Sequence, residues 1–251
     1  MKNLLDSKFE KCKADFPILI SQNFIDKKNC KKISNEIEKF KKFDDVVMNG
    51  RNRINKGSKN FKRFITRSKN SAKIFNILNN KKFYLNLITQ FENNFKKLNL
   101  KKFKNYNFSK KNYGLQSGKK LTKYNFKNLT CNLDMDFSVS EKGYVRGIHR
   151  DRVTRVVNFL IYLNKLPYKS GGDLEIFNLK NKKKLDRFQN KKNVRKVSSI
   201  KSLPGRTVFF LSSPNSYHAV SKITKNTKRF FIYGSFSLNK AVSWDNYVQK
   251  I

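Results

Sequence analysis

Gly147-Ile148-His149-Arg150-Asp151, Ser216-Tyr217-His218-Ala219-Val220 and Arg229-Phe230-Phe231-Ile232 are the pieces on which the reading of this chain turns. The chain holds only two histidines, and both stand here. In an extended strand, side chains at i and i+2 point to the same side. His149 and Asp151 can therefore grip one ion together, while His218 arrives from a strand distant in sequence. Two imidazoles and one carboxylate on one face of a metal leave its other positions open for a cosubstrate and oxygen, which is the arrangement of non-haem iron sites. His149, Asp151 and His218 are the candidate metal ligands.

Around these pieces the apolar pattern has a period of two. Leu133, Met135, Phe137 and Val139 alternate with Asp134, Asp136 and Ser138, a strand with one polar face. Val153 to Leu163 reads as a longer strand, and Gly171-Gly172 turns the chain into Asp173 to Phe177. Pro204-Gly205 introduces Thr207 to Leu211, and Arg229 to Phe236 closes the series. Short strands with turn signals and no helix between them argue for an antiparallel sandwich or barrel.

Upstream the period changes to that of a helix. Phe16 to Ile20 is a short strand, and Asp26 can cap a helix carrying Cys30, Ile33, Ile37 and Phe40 on one face. Residues 48–67, with Asn49-Gly50 and Lys56-Gly57-Ser58, read as loops and a short strand at most. Ser68 or Ser71 can cap a second helix with Ala72, Ile74, Phe75 and Leu78. A third spans Phe83 to Leu98, its stripe of Tyr84, Leu87, Ile88, Phe91 and Phe95 being core.

Composition bounds the partners. With hydrophobic residues at 38% and 23 phenylalanines, there is ample material for a packed interior. A formal net charge of +40, from 57 Lys+Arg against 17 Asp+Glu, would attract any polyanion at low salt. The cations are mostly lysines spread along the whole length with abundant Asn, Phe and Ile. That is the mixture an AT-rich coding bias produces, with Lys filling solvated faces. Two stretches could still meet an acidic partner: residues 101–127, where lysines interleave with Phe103, Tyr106, Phe108, Tyr113, Tyr124 and Phe126, and residues 178–199 at a barrel edge. Nucleic acid is thus a partner to be weighed, and not the favoured one.

Cys12, Cys30 and Cys131 are an odd number without Cys-x-x-Cys spacing, which points to a reducing compartment and small buried side chains. The start, Met1 to Asp6, breaks into charge before a signal-peptide core forms, and no apolar run is long enough to cross a bilayer. The expectation is a soluble cytoplasmic protein without a membrane partner, its oligomeric state left open.

Taken in order, His149-Arg150-Asp151, Ile161-Tyr162-Leu163-Asn164, Ser170-Gly171-Gly172-Asp173-Leu174, Pro204-Gly205-Arg206, His218-Ala219-Val220 and Arg229-Phe230-Phe231-Ile232 resemble the iron(II)- and 2-oxoglutarate-dependent dioxygenases, in their prolyl-hydroxylase-like branch. The resemblance covers residues 133–238. It implies an α+β, mainly β fold: a double-stranded β-helix, or jelly-roll, core with N-terminal helices buttressing one sheet. It divides the chain into a helical and loop segment at 1–130 packed on the barrel, a core at 131–240 and a tail at 241–251, within a single structural domain. It implies Fe(II) held by His149, Asp151 and His218, with 2-oxoglutarate as cosubstrate and ascorbate in support. Arg229, eleven residues after His218, falls where the family holds the distal carboxylate of 2-oxoglutarate, and Tyr162 would add its phenol. The activity implied is hydroxylation of an unactivated C–H bond in a small molecule, peptide side chain or sugar-like substrate, releasing succinate and CO2. Phe231 stands where many relatives have serine. Ser235 stands where nucleic-acid demethylases of the superfamily carry a second arginine, which ranks oxidative demethylation second, followed by a non-catalytic basic binding module on the same fold.

Overall fold

Strand β6 (Thr130–Ser140) shows how the chain divides its two faces in the computed structural model, which describes residues 8–47, 50–96, 98–110, 130–181 and 186–239. Its odd-numbered residues Cys131, Leu133, Met135, Phe137 and Val139 join the core under the helices. Its even-numbered residues Asp136, Ser138 and Ser140 are also buried, because the second face closes the inside of a barrel. The polar face read from the sequence is therefore an interior wall, not a solvated one.

From β6 onward the strands pass back and forth between two sheets, with the hairpin β9-β10 wholly in the smaller one: β7 (Arg146–His149), β8 (Arg155–Tyr162), β9 (Leu174–Leu179), β10 (Val194–Ile200), β11 (Thr207–Leu211), β12 (Tyr217–Val220) and β13 (Arg229–Leu238). The smaller sheet has the order β10-β9-β12-β7. The larger has β11-β8-β13-β6 at its centre. It is extended by β1 (Glu10–Lys11) and β2 (Ile18–Ser21) beyond β11, and by β4 (Arg51–Asn55) and β3 (Asp45–Val47) beyond β6. This crossing pattern is a double-stranded β-helix. Leu160, Tyr162, Val208, Phe210 and Phe231 of the large sheet meet Leu174, Ile176 and Ile200 of the small one between them.

The helices cover the outer face of the large sheet. They are α1 (Lys27–Phe40), α2 (Lys59–Arg67), α3 (Lys69–Leu78), α4 (Lys81–Asn94) and the short α5 (Lys101–Lys104). Ile33, Ile37, Phe64, Ile74, Leu87 and Phe91 bury against Phe137, Phe159, Phe209, Ile232 and Phe236. Asp26 caps α1 as expected, accepting from Asn29 N at 2.8 Å.

The structure corrects the reading of residues 48–67. Gly57-Ser58 ends a strand and starts α2, with Ser58 Oγ accepting from Phe61 N at 2.9 Å and Phe61 and Phe64 buried. Ser68 stands before α3 but makes no side-chain cap. The Glu36 carboxylate of α1 takes that role, accepting from the backbone N–H groups of Asn70 and Ser71 at 3.0 and 2.8 Å. The third helix ends at Asn94, short of the expected Leu98.

Within residues 101–127, Phe103 and Tyr106 are buried and Phe108 packs on the core, so these rings serve the interior and not a stacking surface. Tyr113, Tyr124 and Phe126 lie outside the described residues, as do Met1 to Asp6, Lys182-Lys183-Lys184 and the tail at 241–251. Cys30 and Cys131 are buried and Cys12 is half-buried, all three free. Among the described residues no helix is long and apolar enough to cross a membrane.

The Gly171-Gly172 turn is tied to the barrel interior. Gly171 has φ +75°, and a Cβ there would lie 1.9 Å from the Lys222 carbonyl oxygen. A Cβ on Gly172, at φ +78°, would press on Leu166 Cδ1 at 2.6 Å and Arg229 Cδ at 3.2 Å. Gly171→Ala is expected to destabilise by about 1–3 kcal/mol or more, from left-handed strain plus backbone displacement. Thermal unfolding checks this, with a drop of roughly 2–4 °C per kcal/mol for a chain of this size.

Candidate metal centre

β7 and β12 pair directly, with His149 opposite His218, so the two imidazoles are neighbours across the small sheet. Their ring centroids lie 4.4 Å apart. β7 ends at His149, and Asp151 follows just beyond the strand, its carboxylate 4.0 Å from His149 Nε2 and 3.6 Å from His218 Nε2. One ligand atom from each of the three lies within 4.8 Å of the others, close enough to share one ion. The three residues singled out in the sequence thus converge.

Both imidazoles are oriented for that task. His149 Nδ1 lies 2.8 Å from Gly147 O, and His218 Nδ1 lies 3.0 Å from Ser216 O. A carbonyl only accepts, so each Nδ1 carries the proton and each Nε2 is left with its lone pair, that of His149 facing the Arg146 Nε donor at 3.3 Å. Burial and the neighbouring His218 push His149 down to about 3, and burial also lowers His218. Both rings are therefore neutral in neutral solution, the form that binds metal.

Asp151 is held from the other side. Burial works against its charge, but the Arg155 guanidinium outweighs burial and holds the carboxyl well below the usual range. Arg155 Nη1 lies 2.9 Å from Oδ1, and the Tyr233 hydroxyl donates to both oxygens at 3.1 and 3.2 Å. Arg155 also contacts the Tyr233 hydroxyl and, at 3.2 Å, Asn158 Oδ1. Burial pushes the Tyr233 phenol up, so it stays a donor. Sequence reasoning missed Arg155 and Tyr233. The available signal for Tyr233 was its phase, in step with Arg229 and Phe231 on the inward face of β13. Tyr233→Phe is expected to weaken metal binding about 10–100-fold while leaving the fold intact, the usual cost of losing a partner to a ligand. Anaerobic titration of the metal-free protein with Fe(II) or Co(II) measures it.

Arg229 lies on the same inward face, 1% exposed. Its guanidinium carbon sits 4.3 Å from the Phe231 ring centre and 5.1 Å from that of Tyr162. Its Nε and Nη2 find no hydrogen-bond partner among the described residues. Asn164 fixes the strand on both sides of it, accepting from Phe230 N and donating to Lys228 O, each at 2.8 Å. This accounts for the Tyr-Leu-Asn motif: Tyr162 faces Arg229, and Asn164 sets the strand that carries it. Phe231 presents its ring face to the Arg229 guanidinium.

One cavity of about 590 Å³ joins these groups. His149, Asp151, His218 and Arg229 all line it, as do the apolar Leu160, Leu174 and Phe210. Tyr162 stands behind Arg229 and is not part of that lining, although it is fully buried in the same interior. Tyr144 lines the cavity and packs on Val220 and Ile223. Polar partners complete the wall: Arg51 Nη2 binds both Asp136 oxygens at 2.6 and 2.8 Å, and Arg53 Nη2 binds Asp45 at 2.5 Å.

A jelly-roll barrel thus brings two histidines and an aspartate together at its interior, a donor set that can hold one divalent ion, with the Arg229 guanidinium beside them. Residues 135–237 match the model of the 2OG-Fe(II) oxygenase superfamily. No curated protein sequence matches the chain. Among solved structures, HygX from Streptomyces hygroscopicus, crystallised with nickel and 2-oxoglutarate, aligns over 89% of this chain and 83% of its own, with 9% identity and a TM-score of 0.51. A prolyl 4-hydroxylase from Phytophthora capsici aligns over 89% and 59%, with 12% identity and a TM-score of 0.51. Both show the same fold.

Proposed function

We propose that this protein is an iron(II)- and 2-oxoglutarate-dependent hydroxylase in which His149, Asp151 and His218 hold Fe(II), and Arg229, backed by Tyr162, holds the distal carboxylate of 2-oxoglutarate. The observation that carries the reading is Arg229: a buried guanidinium with Nε and Nη2 unpartnered, lining the same cavity as the triad. A buried guanidinium with two nitrogens left without a hydrogen bond is costly, and a carboxylate accepting two parallel bonds satisfies it. The triad fits a divalent ion on its own evidence, through its neutral Nε2 atoms and its ionised Asp151.

When bound, iron and 2-oxoglutarate supply the oxidising power to hydroxylate an unactivated C–H bond, with succinate and CO2 released. The chain's own residues position and shield. Gly147 O and Ser216 O set the two imidazole planes, and Arg155 and Tyr233 set the carboxylate. Leu160, Leu174 and Phe210 give the interior an apolar wall that limits water near the reacting centre. Substrates of this kind are small molecules, peptide side chains or sugar-like groups. The Ser235 position supports hydroxylation over nucleic-acid demethylation: its side chain is buried and bonded to Ser237 Oγ at 2.8 Å, where a second interior cation would otherwise stand.

Succinate formation from 2-oxoglutarate, dependent on Fe(II) and stimulated by a substrate found in a metabolite and peptide screen for one-oxygen mass gain, tests the proposal. Absence of iron uptake together with no 2-oxoglutarate turnover across the screen would refute it.

A further inference from the structure

Across the inner face of the small sheet, the two imidazoles stand in one cross-strand row. Ile176 of β9 lies opposite His218 of β12, and His218 opposite His149 of β7. The row does not end at the sheet edge. Phe188 makes a bridge of its own opposite His149, and the segment that carries it is bonded to β7 at both sides of the bridge. Arg150 N donates to Arg187 O at 2.9 Å, and Gln189 N donates to Ile148 O at 3.0 Å. Opposed residues point to one face of a sheet, so Phe188 continues the wall on which the imidazoles stand. Its ring lies 6.4 Å from that of His149 and 26° from parallel. Ile176, His218 and His149 are at most 5% exposed, whereas Phe188 is 58% exposed. An aromatic ring left bare at the next place beyond a metal ligand is a surface for what comes to the metal, because covering it removes apolar area from water.

Phe188 also lies on the open side of the barrel. On the other side, β9 and β10 close on β8 and β11, with Ile176 and Ile200 packed in one cluster with Leu160 and Val208. The cavity reaches between the remaining edges. Its lining takes Arg187 from the Phe188 segment, and Asp45, Arg53 and Asn55 from β3 and β4 at the far edge of the large sheet.

That far edge is polar, and its charges come as answered pairs. Arg53 binds both oxygens of Asp45, through Nε at 2.9 Å and Nη2 at 2.5 Å. Its Nη1 stands 4.0 Å from Asp136, whose two oxygens Arg51 binds. Asp45, Arg53, Asp136 and Arg51 thus alternate in sign and sum to zero. Asn55 and Ser58 line the cavity beside them, donating to Asp45 at 3.3 Å and to Asp44 at 2.8 Å. Such a wall sets donors and acceptors side by side. A hydroxyl group, which is both donor and acceptor, matches it without disturbing the pairs. With the bare ring of Phe188 on one edge and this wall on the other, the cavity suits a molecule that has an apolar ring face and a hydroxylated rim.

We infer that the substrate presents a neutral, hydroxyl-bearing ring of the sugar or cyclitol class, which lays its C–H face on Phe188 and turns hydroxyls to the Asp45–Arg53 pair. Phe188 is then the specificity-determining side chain of the site. The inference rests on the iron and 2-oxoglutarate reading of the cavity. A volume of about 590 Å³ falls within the range of small-molecule sites, about 300–1,000 Å³.

The test uses the full chain, loaded without oxygen with Fe(II) and 2-oxoglutarate, whose chelate gives a visible charge-transfer band. Binding to that complex is read by calorimetry. The probes are methyl pyranosides and inositols of differing stereochemistry, set against tetrahydropyran, cyclohexanecarboxylate, cyclohexylamine and N-acetylprolinamide. The best polyol is expected to bind at least about tenfold more tightly than any of these four, because a site built on hydrogen bonds to hydroxyls rejects a ring that lacks them. Phe188→Leu stays apolar and loses the flat face, so it is expected to weaken polyol binding about tenfold, while Phe188→Trp keeps it. Arg53→Lys is expected to weaken the polyol about tenfold and to leave tetrahydropyran as it was. Should Arg53→Lys not fold, the two variants of the exposed Phe188 carry the test. No band in the wild-type protein overturns the iron and 2-oxoglutarate reading, and this inference with it. A band with no polyol bound at millimolar concentration, tighter binding of the carboxylate, the amine or the peptide mimic, polyol binding indifferent to Phe188→Leu, or loss of the band in both Phe188 variants overturns the inference alone.

Discussion

Arg229→Met is expected to make the metal-free protein more stable and to weaken 2-oxoglutarate binding by a factor of roughly 30 to several thousand. The two effects have one cause. Arg229 is buried with Nε and Nη2 unpartnered, and each such group costs about 1–3 kcal/mol to keep dry. Its contacts with the Phe231 and Tyr162 rings return part of that, on the order of 0.5–2 kcal/mol. Methionine fills the space without a charge and without a fixed shape, so roughly 1–3 kcal/mol is released to the folded state. Binding moves the other way, because truncating one side of a buried, hydrogen-bonded charge pair costs about 2–5 kcal/mol. Arg229→Lys keeps a cation and loses the fork, so its affinity should fall between the two. Melting curves of the metal-free protein and titration with 2-oxoglutarate read both effects. A variant that melts earlier and binds 2-oxoglutarate as well as the parent would make Arg229 a structural residue.

The same residue shows what the sequence could and could not convey. Arg229 was legible through the resemblance to the dioxygenases, in which its position eleven residues after His218 carries the carboxylate-holding cation, and the ligands were legible because a chain with two histidines offers no other pair. The helices α1, α3 and α4 announced themselves through apolar spacing that survives in a single sequence. α2 did not, because Lys56-Gly57-Ser58 reads as a turn, and that turn is itself the helix start. What stayed hidden depends on register between distant strands. Arg51 meets Asp136 across 85 residues because β4 pairs with β6, and Tyr233 reaches Asp151 across 82 because β13 lies beside β8. No local pattern encodes such partners. The acidic face of β6 was visible, but whether it meets water or a barrel interior is decided by closure of the second sheet.

His218→Ala and Asp151→Asn should both abolish metal-dependent turnover, and they should differ in stability. Losing a ligand is expected to cost at least the ~100-fold in Fe(II) affinity that loss of an outer partner can cost, leaving succinate formation below detection. His218 gives up its bond to Ser216 O, its edge contact with Phe210 and its ring contact with His149, so the variant should fold. Asp151 is different, because its side chain is 7% exposed and answers Arg155, which is 16% exposed. Neutralising it strands the Arg155 guanidinium and leaves the Tyr233 hydroxyl a weaker acceptor, a loss of about 3–5 kcal/mol by the usual cost of breaking a buried pair. Anaerobic metal titration and thermal unfolding of both variants separate the two roles. If the histidine variant takes up Fe(II) with the parent's affinity, the metal centre is elsewhere. If the asparagine variant is as stable as the parent, the Arg155–Asp151 pair does not hold the site together in the way its geometry implies.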